Sequence, residues 1–305
     1  MTAAAPPAVR VLERDDPAFP KSLLVVQPQP ERLYALGDVS LLARDLVGIV
    51  GSRTPTPYGL RVAYAAAQAA ARAGLVVVSG LARGLDARGH RGALDAGGKT
   101  VAVLGSGVDV AYPKSNRDLY DDILRSGLLL SEQEPGTDPL PGSFPKRNRL
   151  IAGLARCLLV VEGRITGGTR ITSRLMLDMG KLVLAVPGRL EDEVAGGPNR
   201  LLQEGATIYL GPDDLLRPFG LKWNAVEQKE RKAAADAIGD LFSSESSLLA
   251  AEARVFDLLG AEPLHVDAIA ERTRLDAGTL LAALSSLELK GLAEQLPGKH
   301  FRLAA

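Results

Sequence analysis

The sequence predicts an α/β fold: a doubly wound, mostly parallel sheet covered on both faces, followed by a small C-terminal winged-helix domain. Three observations carry this. Short apolar runs alternate with helical patterns from about residue 45 to 217. Those runs are continuously apolar rather than alternating, as in strands buried on both faces. From residue 248 the pattern changes to three amphipathic stretches followed by a hairpin signal.

Taken in order, residues 46–50 form the first strand and lead into Gly51-Ser52-Arg53-Thr54-Pro55. An Ala-rich helix over 58–73 is closed by Gly74. Strand 75–78 leads to Ser79-Gly80, helix 86–96 ends at Gly97-Gly98, and strand 100–104 runs into Gly105-Ser106-Gly107. Helix 116–125 and strand 128–130 follow. A basic helix then starts at Pro145, whose missing N–H costs nothing in a first turn, with Ser143 as its cap. Strand 157–161, helix 169–179 and strand 182–186 complete the series at Pro187-Gly188. The loops after the strands carry Gly, Ser, Thr and Arg, and in such sheets ligands bind at the carboxyl ends.

Residues 1–40 are turn-rich and read as an N-terminal extension packed on the sheet edge, leaving 41–217 as the α/β domain. Residues 218–247 read as a linker, because a charged patch and Ser243-Ser244-Glu245-Ser246-Ser247 can bury little. Residues 248–305 form the winged helix. Its third helix, 277–290, has no Lys or Arg before Lys290, which argues against major-groove reading and favours a protein contact.

The 305-residue chain has a formal net charge of zero, so any polyanion site must be a local cluster. No apolar run is long enough to span a membrane, and residues 1–10 lack the apolar core of a signal peptide. One cysteine excludes an internal disulfide; Cys157 opens an apolar run and reads as a buried small hydrophobe. A cytoplasmic location is the expectation.

The segment Phe144-Pro145-Lys146-Arg147-Asn148-Arg149 is the most informative. It places three cations at a helix start, where the dipole already leaves positive charge and unpaired N–H groups. Such a turn awaits an anion. Two further loops can hold phosphates: Gly51-Ser52-Arg53, and Gly167-Gly168-Thr169 ahead of a helix. In a doubly wound order all three meet at one edge of the sheet. Lys146, Arg147, Arg149, Arg164, Arg170 and Arg174 then outnumber Glu162, and such a cationic groove suits a nucleic-acid backbone. Phe144 or Tyr112 can stack on an unpaired base, although core packing is the plainer role of either alone.

Other motifs fail. Residues 92–100 resemble a P-loop but hold one residue too many and run from helix to strand. Gly105-Ser106-Gly107 lacks the third glycine of a dinucleotide fingerprint. Neither NAD nor ATP is supported, and no cofactor is expected. Ser79, His90 and Asp86 do not make a convincing triad; Asp86 reads as a helix cap and His90 as a core residue. No cluster has metal-ligand spacing. The expectation is a protein without catalytic residues.

With those residues in view, the chain resembles the DNA-processing protein A family (DprA, also called Smf). The resemblance rests on Ile49-Val50-Gly51-Ser52-Arg53, on 78–86, on 144–154, on Tyr112-Pro113 with Asn116, on Val186-Pro187-Gly188, and on Gly197-Pro198-Asn199 with Gly205-Ala206. It implies an extended Rossmann-like domain that binds single-stranded DNA in a basic pocket. It also implies a homodimer that protects that DNA and loads the RecA recombinase onto it in natural transformation or repair, with single-strand-binding protein as a further partner. By motif, Arg53 and Lys146, Arg147, Asn148 and Arg149 hold phosphates, and Gly51, Ser52, Gly167, Gly168 and Thr169 offer donors. Two departures stand out. The glycine segment usually reads closer to Ser-Gly-Ser, whereas Arg170 here adds charge, and the helical domain that precedes the sheet in some relatives is not expected in about forty residues. The alternative is a nucleotide-processing hydrolase similar to the lysine-decarboxylase-like phosphoribohydrolases. Their glycine motif is followed by a Glu, and none occurs here before Met179. A third reading, duplex DNA binding by the winged helix, meets its uncharged third helix.

Overall fold

The computed structural model describes residues 8–228, 230, 249–260 and 262–304. They belong to two compact units, divided between Val226 and Glu227. The first is built on a nine-stranded sheet: β1 (Arg10–Glu13), β2 (Arg32–Gly37), β3 (Leu46–Val50), β4 (Val76–Ser79), β5 (Lys99–Val103), β6 (Leu128–Ser131), β7 (Cys157–Val160), β8 (Leu182–Ala185) and β9 (Thr207–Ile208), in the order β1-β2-β6-β5-β4-β3-β7-β8-β9. From β6 to β9 all neighbours are parallel. The chain winds from β3 out to β6, then returns to the other side of β3 with β7. The gap between β3 and β7 is therefore the topological switch point, where such sheets open a crevice.

Every residue of β3, β4, β6 and β7 is buried, which is why these strands show no alternation in sequence. Successive side chains still go to opposite faces. Val47, Ile49 and Val77 meet helix α1 (Pro57–Arg72). Leu46, Val50, Val76 and Val78 meet α4 (Ser143–Leu154) and α5 (Gly168–Asp178). Helix α2 (Leu85–Asp95) packs beside α1, and α3 (Arg117–Ser126) covers β5 and β6. The alanines of α1 bring α2 so near that a Cβ on Gly92 would lie 2.6 Å from the Tyr64 carbonyl oxygen. Thr56 caps α1 by accepting from Gly59 N–H at 3.1 Å, and Pro57 opens the helix.

Several expectations change. The N-terminal extension is part of the sheet: β1 and β2 form an antiparallel pair, and β2 adds antiparallel to β6. Its 3-10 turn, Lys21–Leu23, sets Leu23 against α4, and a Cβ on Gly153 would meet Leu23 at 2.6 Å. Helix α4 starts at Ser143, so this residue is not a cap. Gly142 precedes it in helical conformation, and Ser143 N–H instead donates to the Leu140 carbonyl at 3.0 Å. Beyond β8, two helices not individually foreseen follow, α6 (Gly196–Gln203) and α7 (Pro212–Leu216). Residues 218–226, expected as linker, pack onto the α1 side through Phe219, Leu221, Trp223 and Val226. Of the rest of that linker, residues 229 and 231–247 lie outside the described residues. Cys157 is buried in the core, and burial pushes its thiol up to about 12.

The second unit has a helix over 249–258, then β10 (Leu264–His265), α8 (Val266–Thr273), α9 (Ala277–Leu289), β11 (Ala293–Leu296) and β12 (His300–Leu303), with sheet order β10-β12-β11. This is a winged helix around Val255, Ile269, Leu280, Leu284 and Phe301. Asp276 caps α9 by accepting from Thr279 N–H at 3.1 Å. The solvent side of α9 shows Leu281 and Leu289 and no cation.

One half-buried amine fixes the far end of α4. Lys181 Nζ donates to the carbonyls of Ala152, Gly153 and Ala155 at 2.9, 2.6 and 2.9 Å, satisfying acceptors that a helix end leaves open. Lys181→Met is expected to cost about 2–3 kcal/mol in unfolding free energy, because these buried acceptors lose their donor; a urea titration measures it.

Candidate nucleic-acid interface

The carboxyl ends of β3, β4 and β5 turn into loops that two charged side chains hold together. Asp86, in the first turn of α2, is buried, and its carboxylate accepts from Gly80 N–H at 3.2 Å and from the N–H groups of Gly51 and Ala82. It thus ties the loops after β3 and β4 instead of capping its own helix. Burial raises its pKa, and the nearby Arg147 opposes that rise. Arg147 comes from α4, on the other face of the sheet. Its Nη1 donates to the Gly80 carbonyl at 2.6 Å and to the Val103 carbonyl. Burial lowers the guanidinium to about 10 while Asp86 supports its charge. Its Nε has no partner among the described residues.

Close backbone approach makes this possible. A Cβ on Gly80 would lie 2.4 Å from the Arg147 guanidinium. Gly84 has φ +80° and would set a Cβ 2.3 Å from the Ser52 carbonyl oxygen, so glycine suits this turn on both counts.

Above the floor lies an aromatic wall. Phe144 and Tyr112 have ring centroids 5.5 Å apart and are tilted by 34°. The Arg53 guanidinium lies over the Phe144 ring, 5.5 Å from its centroid. Arg53, Phe144, Tyr112 and Arg147 border two adjoining cavities. One, of about 530 Å³, extends toward Gly80, Arg83 and Lys114. The other, of about 390 Å³, extends toward Gly51, Asn148, Gly168 and Thr169. The three loops singled out in the sequence therefore share one groove beside the switch point. Thr172 and Ile171 of α5 close its end.

Not every expected residue takes the expected part. Gly51 lines the groove, but its N–H is given to Asp86. The Ser52 hydroxyl accepts from Thr54 N–H at 3.1 Å within its own turn. Gly167 N–H donates to the Arg164 carbonyl at 3.0 Å, whereas Gly168 and Thr169, at the open start of α5, face the groove. Lys146 is exposed outside the two cavities. Arg149 is turned away: it pairs with Glu132 at 2.5 and 2.6 Å and donates to the Pro28 carbonyl at 2.8 Å. Arg164, Arg170 and Arg174 pair with Glu193, Glu204 and Asp178 at 2.9, 3.8 and 3.0 Å. The basic cluster expected from counting charges is therefore smaller, and its unpaired cations include Arg53, Arg83 and Lys114. Arg83 and Lys114 are not among the residues expected to bind. Their signal was a cation between Gly80 and Gly84, and another directly after Tyr112-Pro113.

Ser79, His90 and Asp86 are not aligned as a triad. Ser79 Oγ donates to the Ile49 carbonyl at 2.6 Å. Thr100 Oγ1 gives its proton to the Val77 carbonyl at 2.7 Å, so His90 Nδ1, 2.6 Å away, carries the hydrogen and donates to Thr100. His90 is a core residue partnered at one nitrogen; its Nε2 has no partner among the described residues. Among those residues no three metal-ligating side chains cluster, and no helix is long and apolar enough to cross a membrane.

The structure thus defines a doubly wound, Rossmann-like α/β protein with a cation-and-aromatic groove at its switch point and a winged helix in its C-terminal part. Residues 10–220 match the family model for DNA recombination-mediator protein A, and residues 243–299 match the DprA winged helix domain. The chain belongs to this DprA/Smf family. It is 34% identical to Protein Smf of Synechocystis over 95% of this chain and 79% of that one. It is 40% identical to DNA processing protein DprA of Streptococcus pneumoniae over 67% of this chain and 72% of that one. Among solved structures, S. pneumoniae DprA superposes with a TM-score of 0.66 at 39% identity, covering 68% of this chain and 74% of that one. DNA processing protein A of Helicobacter pylori, solved for its single-stranded DNA binding mode, gives 0.63 at 30% identity and covers 69% and 95%.

His90 carries a pH signature. Burial drops its pKa from 6.5 to about 3, so the unfolded chain takes up a proton that the native chain refuses. The stability tied to the neutral ring is complete above the unfolded value and is lost as pH falls. Urea titrations below about pH 6 should show this residue contributing a slope of up to about 1.4 kcal/mol per pH unit, and His90→Gln should flatten it.

Proposed function

We propose that this chain is a recombination mediator that binds single-stranded DNA in the switch-point groove, protects it and loads a RecA recombinase onto it. It acts as a cytoplasmic homodimer, without catalysis of its own, in transformation or repair, and meets single-strand-binding protein on the same DNA. Family membership supports the mediator role, and the H. pylori relative's description supports the ligand.

The observation that carries the reading is the stack of Arg53 over Phe144 beside Tyr112, with Arg147 buried beneath. An unpaired base offers a π-face to such a wall; a duplex hides it. Arg53, Arg83 and Lys114 are placed to meet the phosphates, and the open N–H groups of Gly168 and Thr169 add neutral donors. Asn148 lines the groove and can bond a base edge or a phosphate. Ser52, Lys146 and Gly167 are assigned to its rim. Arg149 and Arg170 act by holding α4 and α5 through their carboxylate partners. The arrangement of Ser79, His90 and Asp86 supports a non-catalytic reading, as does an α5 first turn without an acid.

Fluorescence anisotropy with a labelled oligothymidylate and a duplex competitor tests this. The wild type is expected to prefer the single strand, with affinity falling as salt rises. Phe144→Ala should cost about 1–3 kcal/mol of binding. Arg53→Ala should weaken binding and reduce the salt slope by about 0.7. Unchanged binding in both variants would remove the groove from the mechanism.

A further inference from the structure

A further cavity of the first unit lies beside the groove above. It measures about 630 Å³ and lies across the 53–57 segment, at the carboxyl ends of β7 and β8. Thr54 walls the groove and Thr56 walls this cavity, with Pro55 alone between them. Two residues of extended chain span at most about 7 Å, so the ridge between the two is narrow. Val161 and Val186 form an apolar floor, and Tyr58, 45% exposed, stands at the rim.

This cavity has a fixed wall. Asn199 of α6 clamps the backbone of Gly188 in both directions, accepting from its N–H at 3.1 Å and donating to its carbonyl at 3.0 Å. A Cβ on Gly188 would lie 2.5 Å from Ala195, and one on Gly197 would lie 2.4 Å from the Gly163 carbonyl oxygen. The Val186-Pro187-Gly188 and Gly197-Pro198-Asn199 segments, which the groove leaves unexplained, thus build a rigid loop.

The charges facing the cavity are Arg61, Arg189, Glu162 and Asp192. Glu162 is committed: its carboxylate accepts from Thr56 N–H at 2.9 Å and from the Thr56 hydroxyl at 2.5 Å, sealing the start of α1. Arg61 and Arg189 make no ion pair or hydrogen bond among the described residues, so two free guanidinium groups face one uncommitted carboxylate, Asp192.

We propose that this cavity is a second subsite for the same single strand: the chain leaving the groove crosses the ridge at Pro55 and lays its next phosphates on Arg61 and Arg189. Tyr58 offers its ring to a base. The inference rests on the groove being a single-strand site. It differs in predicting a dependence on strand length, because a short oligonucleotide fills the groove alone.

Anisotropy with oligothymidylates of about six and about twenty nucleotides separates the subsites. Arg61→Ser/Arg189→Ser should leave the short probe's affinity unchanged, weaken the long probe about tenfold and lower its salt slope by about 1.4. Asp192→Ser, which removes the opposing charge, should tighten the long probe alone, so the test does not depend on loss of function. Equal affinities of wild type and variants for the long probe would overturn the subsite while leaving the groove intact. So would a change confined to competition by a free mononucleotide, which would make the cavity a nucleotide site. Failure of the wild type to bind either probe would instead overturn the functional reading of the groove.

Discussion

The polar knot that Asp86 and Arg147 build at the carboxyl ends of the strands is the constraint on which the groove depends. Asp86 arrives from the helices on one face of the sheet and Arg147 from those on the other. Between them they engage backbone groups of Gly51, Gly80, Ala82 and Val103, so the ends of three strands share one polar knot. A buried carboxylate and a buried guanidinium are each costly alone and tolerable together. The knot also spends the Gly51 N–H that a phosphate would otherwise use. The turn after β3 therefore contributes shape and the Arg53 side chain more than backbone donors.

Placement of the aromatic wall follows. Phe144 sits on the same helix, three residues before Arg147, so seating the arginine sets the ring. A Cβ on Gly105 would lie 3.1 Å from that ring, so the loop after β5 backs it closely. At the other end, Lys181 collects the carbonyls of α4. The helix is held near its start by the buried Arg147 and at its end by the half-buried Lys181, and the exposed Lys146 stands one residue before Arg147.

Much of this was legible in the sequence, for identifiable reasons. Strands buried on both faces leave unbroken apolar runs, so β3 to β8 and their winding could be read from composition alone. The amphipathic helices and turn of the winged helix were equally plain. What escaped was decided by partners distant in sequence. β1 and β2 are set in turn-rich segments; β1 pairs only with β2, and β2 joins the sheet through β6, far along the chain. Arg149 and Arg170 looked like ligands for an anion because Glu132 and Glu204 lie beyond helical spacing. Ser143 looked like a cap because nothing local reveals that the 140–143 turn already enters the helix in helical geometry. Proximity in sequence identified the groove's rings and glycines, and only the fold could subtract the charges already spent.

The zero net charge has a consequence for how a polyanion is met. With no net charge to attract a polyanion from afar, attraction is local, and the unpaired Arg53, Arg83 and Lys114 concentrate it on the groove rim. In the proposed reading a strand therefore gains attraction only close to that rim, where it already faces the rings.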